Sequence, residues 1–345
     1  MNGIERLAAV NAGEECDRIP VFCNLLDQGA KELGMSIKEY YTKGEHVAEG
    51  QLKMREKYGY DNLWSLFYVG KEAELLGCKN IIYANAGPPN VGHMVIRNYD
   101  DIEKLEVPED ITVHPAFNEI AKCLDILRRE AKGKYPICAY LTASMTMPAL
   151  LMGMEKWIPL LINGPEGPRN ELLEKCSLFY RKQAKAYRDA GADILLYSNP
   201  FGSTDFVPDK VFESMSLAWM EKDLLPGDLS DIVFYCGGAR LNQTMERVMN
   251  RLGITSFYNS PYDDITETKK IAAGKAICSG VINDIRLIDW SADEVKAEVQ
   301  QIIDKGKAGG KFIFGTLVMP FQIPENNIRS MLETAYSYGR YSLQT

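Results

Sequence analysis

Eight short apolar runs recur along this chain, and nearly every gap between them carries a helical pattern. The runs are Arg18–Asn24, Asp61–Phe67, Pro136–Leu141, Ala192–Tyr197, Asp231–Cys236, Ile254–Tyr258, Lys275–Gly280 and Lys311–Gly315. Continuous apolar stretches of this length read as strands buried on both faces, the mark of a parallel sheet. Parallel neighbours need crossovers, and the helical gaps supply them. No GxGxxG opens a helix after the first run, and no GxxxxGK[ST] is present. Eight βα units without a nucleotide fingerprint point to the α/β class and a (β/α)8 TIM barrel, with residues 1–345 as one domain.

The gaps are consistent with this. A short amphipathic helix fits residues 3–12. Ser36 and Glu39 match a capping box for a helix running to about Tyr58 and stopping at Gly59, and Ser291 and Glu294 match another. Helices are expected over 115–131, 146–163, 168–189 and 325–341. Between the second and third runs, Gly70–Gly77 suggests a helical turn. Asn80–Tyr83 and His93–Ile96, split by Ala86-Gly-Pro-Pro-Asn90, suggest an inserted β-hairpin.

Composition excludes several classes. The net charge of −8 comes with both signs interspersed and no Lys/Arg run, which argues against nucleic acid as a partner. No apolar run is long enough to span a bilayer, and the start, Met1-Asn-Gly-Ile-Glu-Arg6, is no signal peptide, so a cytoplasmic protein without a membrane partner is expected. The eight cysteines are scattered and none forms C-x-x-C, so they read as thiols rather than a disulfide framework.

In such a barrel, chemistry sits where strands end. Those ends offer Asn24 and Asp27, then Tyr68 and Glu72, then Thr142 and Ser144. Tyr197 and Asn199, Cys236, Asn259 and Asn283 follow. There is no Ser/His pair for acyl chemistry and no lysine placed for a Schiff base. Asn24, Asp27, Tyr197 and Asn199 are the catalytic candidates. Tyr68, Thr142, Ser144, Asn259 and Asn283 are the substrate-binding candidates. Cys236 reads as a thiol delivered to the rim, with a plain core thiol as the competing reading.

The order of several stretches resembles the uroporphyrinogen decarboxylase superfamily, within it the corrinoid-dependent methyltransferase branch. They include Arg18-Ile-Pro-Val21, Leu141-Thr-Ala-Ser-Met-Thr-Met-Pro148, Ala190-Gly-Ala-Asp193 with Asn199-Pro200, Cys236-Gly237, Gly280-Val-Ile-Asn-Asp284 and Pro324-Glu-Asn-Asn-Ile328. The resemblance implies the same barrel. It also implies a methyl group moved between a small-molecule donor, a methyl ether or methylamine, and a corrinoid held by a partner protein. A methylcobamide:thiol methyltransferase and a non-catalytic accessory barrel are the alternatives, and a homodimer is left open. Decarboxylation of a polycarboxylate tetrapyrrole would need arginines that Asn24–Ala30 lacks. Thiol-methylating relatives carry zinc on His-x-Cys plus a later Cys. Here Cys236 matches the middle ligand, while Phe234 and Leu317 stand at the other two positions. Glu72 and His93, flanking the hairpin, are the expected replacements, giving a Glu72–His93–Cys236 zinc site.

Overall fold

The computed structural model describes residues 1–341. Eight parallel strands run in the order β1-β10-β9-β8-β7-β6-β5-β2. They are β1 (Val21–Asn24), β2 (Leu63–Trp64), β5 (Ile137–Thr142), β6 (Ile194–Ser198), β7 (Ile232–Tyr235), β8 (Ser256–Tyr258), β9 (Ile277–Ile282) and β10 (Phe312–Val318). The inserted hairpin exists as an antiparallel pair, β3 (Ile81–Ile82) and β4 (Asn90–Val91). Its second strand lies before His93–Ile96, because the chain turns back at once after Pro88-Pro89.

β1 and β2 close the barrel through one backbone bond, Asp61 N to Val21 O at 2.9 Å, and through side chains. Asp61 Oδ2 accepts from Val21 N at 2.8 Å, and Asn62 Oδ1 accepts from Cys23 N at 2.9 Å. Trp64 Nε1 donates to Cys23 O at 2.9 Å. The apolar run 61–67 therefore yields a strand of only two residues. Arg6 and Arg18 neutralise the buried Asp61 at 2.8 and 2.6 Å.

The surrounding helices are α1 (Gly3–Ala12), α2 (Leu26–Leu33), α3 (Ile37–Tyr41), α4 (Gly44–Tyr58), α5 (Val69–Leu75), α6 (Asp100–Lys104), α7 (Pro115–Ala131) and α8 (Met147–Met152). Next come α9 (Met154–Asn163), α10 (Glu166–Ala190), α11 (Asp209–Val211), α12 (Leu217–Leu224), α13 (Asn242–Leu252), α14 (Ile265–Ala272), α15 (Ala292–Gly306) and α16 (Glu325–Tyr338). The long helix expected from Ser36 is split: Ser36 caps α3, and α4 begins afresh at Gly44. Gly44 is required there, since a Cβ would lie 1.9 Å from Glu119 O of α7. The Ser291–Glu294 capping box forms in full. None of the described helices is long and apolar enough to cross a membrane.

Strand alternation sorts the side chains into lumen and helix layer. Trp64 stacks on Tyr140 at 4.7 Å between centroids; Tyr140 also meets Phe67 at 4.8 Å and Tyr235 at 5.5 Å, and Tyr235 meets Tyr258 at 5.9 Å. These rings fill the lumen beneath the mouth. On the other face, Tyr197 lies 5.1 Å from Tyr180 of α10 and donates to Asp223 of α12 at 2.8 Å. Phe234 packs on Tyr197 at 5.6 Å and Phe257 at 6.0 Å, so it too faces the helices.

Candidate active site

The C-terminal mouth is built from the loops that follow each strand. Asn24 ends β1 on the lumen side, its Nδ2 donating to Tyr140 Oη at 3.2 Å. Asp27 lies in the first turn of α2, buried, with Oδ1 accepting from Tyr41 Oη at 2.5 Å. Burial pushes its carboxyl up to about 6 against that hydrogen bond. Asn199 is buried after β6, its Oδ1 accepting from Thr146 Oγ1 at 3.3 Å. These three stand at the mouth. Tyr197, by contrast, is turned into the helix layer, because its position in β6 is out of phase with the lumen.

The substrate-binding candidates divide in the same way. Asn259 accepts from Ser279 N at 3.3 Å, joining β8 to β9. Asn283 is half-buried and accepts from Arg286 N at 3.1 Å, capping the turn after β9. Tyr68 is buried and donates to Glu74 at 3.0 Å. Thr142 gives both its N–H (2.9 Å) and its hydroxyl to Glu72. Ser144 is held by its N–H on Asp223 Oδ2 at 3.0 Å.

The three expected zinc ligands are not brought together. Both Glu72 oxygens are taken up by Thr142 at the end of β5, and burial pushes that carboxyl up to about 7. His93 is exposed and lines an outer groove of about 1110 Å³ with Leu75, Lys79 and Arg97. Cys236 is buried just past β7, its thiol raised above its ordinary range by burial and by Asp263 and Asp205. Among the described residues no group of three His, Cys, Asp or Glu side chains is placed to hold a metal ion. The donor set does not fit zinc.

Two acids outside the candidate set shape the mouth. Asp223 is buried on α12, preceded by a π-helical turn over Phe212–Ser216, and it fixes both Ser144 and Tyr197. Asp263 accepts from Leu241 N, Asn242 N and Ser260 N at 2.9–3.0 Å, pinning the loop after β7 to the loop after β8. Asp223 lies on a helix, so a search of strand ends passes over it. Three large apolar side chains stand exposed on the loops after β6, β8 and β9: Phe206 at 38%, Tyr262 at 64% and Ile285 at 58%.

A (β/α)8 barrel with this mouth defines an enzyme-like class but not a chemistry. The family is established: the chain belongs to the uroporphyrinogen decarboxylase (URO-D) family, whose model matches residues 2–338. It is 23% identical to the methylcobamide:CoM methyltransferase MtbA of Methanosarcina mazei, over 97% of each chain. It is 22% identical to the methylcobamide:CoM methyltransferase MtaA of Methanosarcina barkeri, over 87% of this chain and 88% of that one. A solved methyltransferase from Methanosarcina mazei superposes with a TM-score of 0.82 at 18% identity, covering 97% of this chain and 98% of that one.

Proposed function

We propose that this protein is a corrinoid-dependent methyltransferase that moves a methyl group between a small molecule in the barrel mouth and a corrinoid carried by a partner protein. The observation that carries this reading is full-length similarity to methylcobamide methyltransferases on a barrel whose lumen is filled by the Trp64, Tyr140, Tyr235 and Tyr258 rings. The corrinoid, as the partner's cargo, supplies the metal that takes up or gives up the methyl group. The chain's own part is to bind, align and exclude water. The ring stack beneath the mouth gives an organic substrate an apolar floor. Phe206, Tyr262 and Ile285 offer the partner an apolar rim, and the clamps made by Asp263 and Asn283 hold that rim in place.

The direction we favour is demethylation of an ether or amine. Phe234 faces the helices rather than the lumen, Leu317 is no metal donor, and the three-donor set is not assembled, so the means of thiol activation used by zinc-bearing relatives is not built here. The second reading, transfer to a thiol, is favoured by the names of the relatives themselves. The test uses purified protein, its corrinoid partner and reduced cobalamin with a panel of methyl ethers, methylamines and methyl thioethers. Methylation of the corrinoid, followed by its visible spectrum, is expected with an ether or amine. Absence of turnover with every donor, and with methylcobamide plus thiols, would sink the methyltransferase reading.

A further inference from the structure

We infer that Asp27, positioned by Tyr41, is the group that exchanges a proton with the heteroatom losing or gaining the methyl. The inference rests on the methyltransferase reading. Asp27 follows Asn24 by one turn at the mouth end of β1, and its residue is 0% exposed. Tyr41 Oη holds one carboxyl oxygen at 2.5 Å, while the other oxygen, also buried, has no partner. A buried acceptor left open is costly and calls for an explanation. Tyr41 is itself fixed by edge contacts with Tyr40 at 5.0 Å and Tyr68 at 5.6 Å.

The surroundings leave the proton on this pair. From α3 the titratable groups facing Asp27 are Tyr41 and Tyr40, with Tyr68, just before α5, behind Tyr41. From α4 come the neutral Gly50 and Gln51, the latter donating to Leu25 O at 3.2 Å. On α2 itself, Lys31 turns away to Phe321 O at 2.8 Å, and Gln28 to Pro320 O at 2.7 Å. A carboxyl raised to about 6 by burial titrates close to working pH, where proton transfer is most effective.

The step balances in both directions. In demethylation the carbon–heteroatom bond breaks with its electron pair left on the heteroatom. The reduced corrinoid metal supplies the pair for the new bond to the methyl carbon. Asp27 gives its proton to the heteroatom and is reprotonated from water. In the opposite direction an entering thiol gives its proton to the Asp27 carboxylate, the sulfur pair forms the bond to the methyl carbon, and the corrinoid keeps the pair of the bond that breaks.

Two measurements on the full-length protein test this. The first is a carboxyl titration by infrared difference spectroscopy on wild type, D27N and Y41F, which needs no turnover. One carboxyl with a midpoint near 6 is expected in wild type, absent in D27N and moved upward in Y41F, because the Tyr41 bond favours the carboxylate. The second is the pH–rate profile with the partner. A demethylase should lose rate as pH rises through about 6 and a thiol methylase should gain it. D27N should lose that limb and at least about 100-fold in rate, and Y41F should shift the limb. A wild-type midpoint in the ordinary range near 4 overturns the inference whether or not any methyl donor is found. A D27N profile matching wild type overturns it even if methyl transfer is confirmed.

Discussion

Glu72 allows a stability measurement with a definite sign. It is buried on α5, with Thr142 N at 2.9 Å and the Thr142 hydroxyl on its two oxygens. Burial pushes the carboxyl from its ordinary 4.5 up to about 7, and the Thr142 bonds oppose that move without cancelling it. With the folded value above the unfolded one, the fold prefers the neutral acid. That preference is fully present below about pH 4.5 and is lost as pH climbs through about 7. At ~1.36 kcal/mol per pH unit the full loss is about 3 kcal/mol. E72Q is neutral throughout and keeps an acceptor for Thr142 N. Urea unfolding at pH 5 to 8, followed by tryptophan fluorescence, should show wild type losing stability with pH and E72Q losing about 3 kcal/mol less. The two should lie within about 1 kcal/mol at pH 5, the size of one altered hydrogen bond. Parallel curves, or an E72Q protein less stable than wild type at pH 8, would refute the reasoning and show that the carboxylate is the form the fold needs.

Three further outcomes are expected. D61A should lose about 3–5 kcal/mol in chemical denaturation, because Arg6, Arg18 and the β1–β2 seam all lose their acceptor. Native protein at pH 8 should release less than one equivalent with a disulfide reagent and all eight in denaturant, since all eight cysteines are buried free thiols; rapid loss of Cys236 in the native state would contradict its placement. The double substitution F234H/L317C, which restores the relatives' ligand types in sequence, should bind no stoichiometric zinc by metal analysis. It should also cost about 3 kcal/mol, because the histidine enters an aromatic helix-layer cluster.

The barrel was legible because its cause is one-dimensional. Each run is apolar on both faces, and each crossover helix repeats on its own period, so strand identity survives without contacts. The ends were less legible for the same reason. The run 61–67 is as apolar as the others, yet only Leu63–Trp64 pairs as a strand, since Asp61, Asn62 and Trp64 spend their side chains on the seam with β1. Asn24 and Asn283 could be placed from sequence, for the first ends β1 and the second directly follows β9, both in phase with the lumen. Asp223 could not, for it reaches β5 and β6 from a helix 79 residues beyond Ser144 in the chain.

Phase along the strand explains the fate of the metal expectation. A His-x-Cys pattern places two side chains on one face, and the sequence gives the spacing but not which face. In β7 it is Tyr235 that joins the lumen rings, so Phe234 belongs to the helix layer with Tyr197. An aromatic residue at 234 is therefore good packing rather than a blocked ligand position. Glu72 follows the same logic from the opposite side: an acid near a strand end looks like a ligand until Thr142 is seen to occupy both of its oxygens. The mouth's buried acids are spent on holding loops, with one exception. Asp223 fixes the loop after β5, Asp263 fixes the loop after β7, and Glu72 fixes the end of β5. Asp27 alone among these four holds no backbone group: Tyr41 takes one of its oxygens and the other is unclaimed, as is Asp223 Oδ1. Asp223 is committed to the Ser144 N–H and the Tyr197 hydroxyl, whereas Asp27 is held by Tyr41 alone, and on that difference the proposed proton exchange is assigned to Asp27.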